Sequence, residues 1–167
     1  MNEDRVDRLV IGVKRLRPDI DPGLKTVGAR LLHVSDLVLR YYSGLSERFG
    51  VSLSGLAVIT TLARQAPREL TLTEINRDVL VTSGGITFIV SRLEEQGLLT
   101  RKPHPNDSRA VLVQLTSRGR RLADRLIEAV ATADAEVFVH FDDTERRTIE
   151  ELLRRVEAGI ETAMCSE

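Results

Sequence analysis

The sequence predicts a mainly α-helical fold with one small β-hairpin: a helix–turn–helix core followed by the hairpin, flanked on both sides by long helices. Three observations carry this. Apolar residues recur every three to four positions over most of the chain, the spacing of one helical face. The pattern changes once, between Leu98 and Leu115, to two short strand-like runs with turn chemistry between them. Glycine, proline and capping residues fall at the joints between segments.

In chain order, residues 3 to 17 read as a short amphipathic helix with Val6, Leu9, Val10 and Val13 inward and Arg5, Arg8 and Lys14 outward. Arg17-Pro18-Asp19-Ile20-Asp21-Pro22 breaks it, since proline disfavours helix in the residue before it. Residues 24 to 49 read as a long helix with Leu24, Val27, Leu31, Val34, Val38, Tyr41 or Tyr42, Leu45 and Phe49 in register. A second face carries Leu32, Leu37 and Leu39, and a helix apolar around much of its girth has more than one partner surface to fill. Core packing accounts for one stripe and a subunit interface for the other. Ser52-Leu53-Ser54-Gly55 opens the next helix, with Leu56, Val58, Ile59 and Leu62, ending near Pro67.

Residues 71 to 116 organise the rest. Thr71-Leu72-Thr73-Glu74 is a capping box, in which Thr71 and Glu74 satisfy each other's free backbone donors. Its helix carries Leu72, Ile75 and Val79 and stops at Val81. Thr82 or Ser83 caps the following helix, whose buried side is Ile86, Ile89, Val90 and Leu93. Gly97 ends it, as a residue free to take positive φ does. Leu98 to Lys102 forms a strand and Ala110 to Leu115 its partner, with His104-Pro105-Asn106-Asp107-Ser108-Arg109 as the turn. Residues 117 to 140 return to helix with Leu122, Leu126, Ala129 or Val130, Ala133 and Val137 in register. Asp142 and Glu145 are spaced as a second capping box, and Ile149, Leu152, Leu153, Val156 and Ile160 mark the last helix. Without internal repeats or a low-complexity linker, residues 1–167 read as a single domain. Its core lies at about 52–116, between dimerisation helices at about 3–49 and 117–163.

Composition narrows the class. With 42% hydrophobic and 29% charged residues the chain reads as soluble and globular. No apolar run approaches the roughly 20 residues that span a bilayer. The charged N-terminus does not resemble a signal peptide, so a cytoplasmic location without membrane association is expected. The single cysteine, Cys165, has no internal disulfide partner, and no His/Cys cluster has metal-ligand spacing. The net charge of −1 is unevenly spread: Arg68 to Arg121 holds nine basic and six acidic side chains, so the remainder carries the negative balance. That is the sign that nucleic-acid binding needs.

Helix, turn, helix and hairpin wing is a DNA-reading layout. The chain also resembles the MarR family of bacterial transcription regulators. The resemblance rests on Thr82-Ser83-Gly84-Gly85-Ile86-Thr87 opening a helix, Arg92-Leu93-Glu94 with Gly97-Leu98 closing it, and Asp107-Ser108-Arg109 in the wing. Leu115-Thr116-Ser117-Arg118-Gly119 enters the next helix in the same register. The helix order outside this core fits as well. The branch it most resembles carries an extra N-terminal helix and an Arg-Pro-Asp segment. Urate sensors of that branch place a tryptophan in this helix, and this chain has none.

In a helix–turn–helix the second helix enters the major groove with its N-terminal turns against base edges. Thr82, Ser83, Gly84, Thr87, Phe88, Ser91 and Arg92 are its candidate contacts. Gly84 and Gly85 in a first turn allow close approach to phosphates, or serve only to let helices pack tightly. Phe88 fits two readings, contact with thymine methyl groups or packing against the preceding helix. The resemblance implies that Asp107 orients the wing, with Ser108 beside it, and that Arg109 reaches the minor groove. Arg101, Lys102, Arg118 and Arg121 are placed to neutralise phosphates. A homodimer on double-stranded DNA then expects a pseudo-palindromic operator with half-sites about one helical turn apart.

The resemblance further implies a repressor released by a small effector held between the long helix, the next helix and the winged lobe. His33, Arg40, Tyr41 and Tyr42 are the polar and aromatic candidates, suited to a phenolic or carboxylate ligand. His33 also fits a packed core or interface position. No cofactor is implied. An enzyme reading finds no support, because Gly84-Gly85 lacks the rest of a phosphate-loop pattern and the three histidines are dispersed. The alternative is a winged-helix protein–protein module without specific DNA binding.

Overall fold

The computed structural model describes residues 3–79 and 85–166, apart from the side chain of Ser108. The chain divides into two compact units, Met1–Leu126 and Ile127–Glu167. The elements run α1 (Arg5–Leu16), α2 (Pro22–Glu47), α3 (Leu53–Gln65), β1 (Leu70–Thr71), α4 (Leu72–Asp78), α5 (Ile86–Glu95), β2 (Leu99–His104), β3 (Asp107–Leu115), α6 (Ser117–Val137) and α7 (Asp143–Met164). The unit boundary falls inside α6. No helix among the described residues is long and apolar enough to cross a membrane.

In the first unit, α1 starts at Asp4, whose carboxylate accepts the Val6 and Asp7 backbone N–H groups. Arg30 of α2 pairs with Asp4 and, at 3.2 Å, with Asp7, which fastens α1 to α2. The Arg30 hydrogen bond, and after it the Asp7 backbone N–H, hold the Asp4 carboxyl down to about 2. Val6 is buried, but Leu9, expected inward, is 48% exposed. The reason is that α1 packs chiefly along α2, and one neighbour covers only a narrow stripe. The break between α1 and α2 falls at Pro18 as expected, but α2 starts at Pro22, capped by Asp21, rather than at residue 24, and ends at Glu47 rather than 49.

The core of this unit is Val58, Ile59 and Leu62 from α3, Leu70, Ile75 from α4, Val90 and Leu93 from α5, and Leu99, Val113 and Leu115 from the strands. Each fully buried Leu, Ile or Val contributes about 1.5–3 kcal/mol, so this cluster fixes how α3, α4 and α5 stack. The sheet has three strands in the order β1-β3-β2, all antiparallel, with Leu70 opposite Val113 and Leu99 opposite Leu115. The expected hairpin of two strands therefore gains a third, β1, which at two residues carries no periodic signal. The wing turn is also tighter than expected: only Pro105 and Asn106 lie outside the strands, and the register shifts between Pro103 and His104.

Two further helices end earlier than expected. The helix opened by Thr71 ends at Asp78 rather than Val81, and Val79 remains buried from extended backbone just past it. The α6 helix ends at Val137 rather than residue 140. In the second unit, Asp142 accepts the Thr144 and Glu145 backbone N–H groups while Glu145 accepts that of Asp142, the expected capping box.

Candidate nucleic-acid interface

The α5 helix is seated by its own sequence period. Ile89, Val90 and Leu93 are buried, whereas Thr87, Phe88 and Arg92 on the other side are exposed, Phe88 by 70%. Its C-terminus closes as a Schellman motif: Leu98 N–H donates to Leu93 O at 3.0 Å and Gly97 N–H to Glu94 O at 2.8 Å, with Gly97 at φ 69°. Gly85 is the N-cap, without a side-chain cap bond. Capping by Thr82 or Ser83 is thereby replaced, because the helix begins only at Ile86, and Gly85 precedes the first turn rather than lying within it. Thr82, Ser83 and Gly84 themselves lie outside the described residues. Of the two readings of Phe88, internal packing is excluded by its exposure.

Polar detail sharpens this face. Ser91 Oγ donates to the Thr87 carbonyl at 2.9 Å, so that hydroxyl proton is committed to the helix. Among the described residues Arg92 makes no ion pair, and its guanidinium is open to a partner. In the wing, Arg109 N–H donates to the Asp107 carboxylate at 2.9 Å. Asp107 thus holds the backbone of Arg109, and among the described residues the exposed guanidinium of Arg109 makes no ion pair. The His104 ring accepts the Asn106 N–H at 3.2 Å, bracing the turn. The side chain of Ser108 lies outside the described residues.

Two basic residues of the wing are already paired. Lys102 Nζ lies 2.6 Å from Glu69, and Arg101 Nε donates to Glu94 at 2.7 Å. The Arg101 bond draws the Glu94 carboxyl below the usual carboxylate range. At these positions a phosphate competes with a resident carboxylate, whereas at Arg92, Arg109, Arg118 and Arg121 it meets no such rival among the described residues.

The four effector candidates lie along α2. His33 and Tyr42 are half-buried, Arg40 pairs with Asp36 at 2.7 Å, and the Tyr41 and Tyr42 rings meet edge-on at 5.7 Å. His33 and Arg40 are separated along the helix by about 10 Å at 1.5 Å per residue. A cleft of about 480 Å³ is lined by Phe49, Gln96, Leu98 and Leu122 together with Arg118, Arg121, Arg125 and Glu95. Arg125 stacks 5.2 Å from the centre of the Phe49 ring, and Gln96 Nε2 donates to the Gly50 carbonyl at 3.2 Å. Sequence reasoning missed Arg125. Its signal was the spacing 118, 121, 125, which sets three guanidinium groups on one helical face.

Comparison with known proteins agrees with this geometry. Residues 51–111 match the family model described as MarR family. The chain is 30% identical over 142 residues to the HTH-type transcriptional regulator PecS of Dickeya dadantii, covering 84% of this chain and 86% of that one. An HTH-type transcriptional repressor of Mycobacterium tuberculosis is 26% identical over 130 residues, 78% of this chain and 92% of the relative. Among solved structures, the S. aureus MepR–DNA complex superposes with a TM-score of 0.71 at 15% identity, covering 78% of this chain and 94% of that chain. At that identity the likeness concerns the fold.

Proposed function

The chain belongs to the MarR family of helix–turn–helix transcription regulators, and from that we propose that it is a homodimeric, cytoplasmic repressor. In this reading it binds a pseudo-palindromic operator sequence-specifically and is released by a small carboxylate-bearing or phenolic ligand. The observation that carries the DNA reading is the α5 face. Its apolar side is locked in the core while Thr87, Phe88 and Arg92 are exposed, in the same compact unit as a wing that carries Arg109. These side chains take no part in the core, and they are the types that meet base edges and phosphates.

The dimer is supported by the apolar surface left open. In α2, Leu24 and Leu32 are 76% and 75% exposed, and in α7 Leu152, Leu153 and Ile160 are about half exposed. Patches of this kind mark interaction sites, and a two-fold pair would present two α5 helices to successive major grooves. A carboxylate effector suits the cleft lined by Arg118, Arg121 and Arg125, where guanidinium donors stand with Phe49, Leu98 and Leu122. Repression is consistent with the mycobacterial relative.

The reading is tested by mobility shift on fragments from upstream of the protein's own gene, across a salt series, with an Arg109→Ala variant alongside. Saturable binding to one fragment, falling steeply with salt and weakened about tenfold or more by the substitution, is expected. Binding that is absent, or equal on all fragments, sinks the operator reading and favours the protein–protein module.

A further inference from the structure

We propose that Phe88 is a specificity-determining residue that reads the 5-methyl group of a thymine in each operator half-site, next to a guanine read by Arg92. The inference rests on the DNA-binding reading above and names what that site recognises. Phe88 is the third residue of α5, in the turn that a helix–turn–helix presents to the groove. Its ring is 70% exposed, while Ile89 and Val90 beside it are sealed in the core. The ring stands largely in water on a face that also offers Thr87, Ser91 and Arg92, so most of its apolar surface is left for a partner to cover.

The major groove contains one apolar recognition group, the thymine methyl. The Ser91 hydroxyl proton is already given to the Thr87 carbonyl, which leaves that side chain as an acceptor only. Phe88 and Arg92 are large side chains exposed on this face of the described helix. They stand four residues apart on one face, about 6 Å along the axis at 1.5 Å per residue. Arginine pairs bidentately with guanine O6 and N7. At roughly 3.4 Å per base pair, the two contacts fall within about two base pairs of each other. The half-site therefore contains a thymine and a guanine in that proximity.

The experiment begins with selection of preferred sites from a random duplex library by the full-length protein. Each thymine of the selected site is then replaced, one position per half-site at a time, by deoxyuridine, which removes only the methyl group. Wild-type protein is expected to lose about fourfold in affinity per half-site at one thymine position, the loss that fits unburying one methyl group. Phe88→Ala is expected to bind the thymine and deoxyuridine duplexes equally. Its melting temperature should match the wild type, because the ring is exposed. Measurement at low salt keeps the variant's affinity readable, since phosphate contacts supply the sequence-independent part. A wild-type protein indifferent to every replacement, or a Phe88→Ala protein that still discriminates, overturns the assignment and leaves the DNA reading intact. A protein that selects no sequence overturns both.

Discussion

At Gly119 the absence of a side chain lets the first turn of α6 lie on the end of the α5–β2 connection. A Cβ there would stand 1.8 Å from the Leu98 carbonyl oxygen and 2.9 Å from its carbon, both backbone atoms that cannot swing away. Thr116 reinforces the same joint, donating its N–H to Leu98 O at 3.0 Å and its hydroxyl to Gly97 O at 2.9 Å. Gly119→Ala is therefore expected to destabilise the protein by about 1–3 kcal/mol, the usual range for overpacking a tight contact, read as a lowered melting temperature. An unchanged melting curve would mean that the joint is looser than this geometry. The contrast with Gly97 shows what a sequence discloses at this scale. Gly97 follows an apolar helical stripe, so its positive φ is legible from local pattern. Gly119 sits at the start of a helix and meets an atom 21 positions earlier, a tertiary contact that no local pattern encodes. Phe88 is a third case: spacing placed it on α5, but only the packed neighbours decided that its ring stays outside.

At the scale of elements, capping chemistry was the most legible feature and strand pairing the least. The Thr71–Glu74 box is present as read: Glu74 N–H donates to Thr71 Oγ1 at 3.2 Å and Thr71 N–H to Glu74 at 2.8 Å. It matters more than usual because α4 has only 7 residues, too short to be stable without caps and packing. The Thr71 backbone N–H first, and then its hydroxyl, hold the Glu74 carboxyl below the usual carboxylate range. A group so lowered contributes stability that is complete above its unfolded value, about 4.3 for glutamate, and is lost as pH falls through its lowered folded value. Thr71→Ala is expected to cost about 1 kcal/mol by chemical denaturation at neutral pH. The gap between variant and wild type should narrow as Glu74 becomes protonated in both. A gap that stays constant to low pH would remove the carboxylate from the account. The wing shows the opposite limit. Its two hairpin strands were visible as strand-like runs on either side of a turn, but β1 was not, because a two-residue strand is created by the partner it meets, here Val113 and Leu112. The strands also run past the polar residues assigned to the turn, since Asp107 and Arg109 are held by their own hydrogen bond in extended backbone.

For the whole molecule, the apolar surface of the flanking helices is the open account. The sequence showed α2 to be apolar on more than one face, and the structure leaves much of that surface exposed, along with Leu152, Leu153, Ile160 and Met164 of α7. No α7 residue is buried, although its apolar positions recur at helical spacing. A 22-residue amphipathic helix in this state gains little from folding alone, so its stability must come from a surface that covers it. A second copy of the chain is the partner that the proposed two-fold operator requires, and a closed pair hides equivalent patches on both copies. On this argument, folding and association are coupled, and the wild-type melting temperature should rise with protein concentration. Leu153→Asp places a charge in the covered stripe and should shift the protein from dimer to monomer at micromolar concentration in sedimentation velocity. Because each half-site then has to be bound separately, affinity for the two-half-site operator should fall by at least tenfold, while binding to an isolated half-site changes little. A Leu153→Asp protein that stays dimeric and keeps its operator affinity would place the interface elsewhere and return the exposed α7 stripe to the category of surface without an assigned partner.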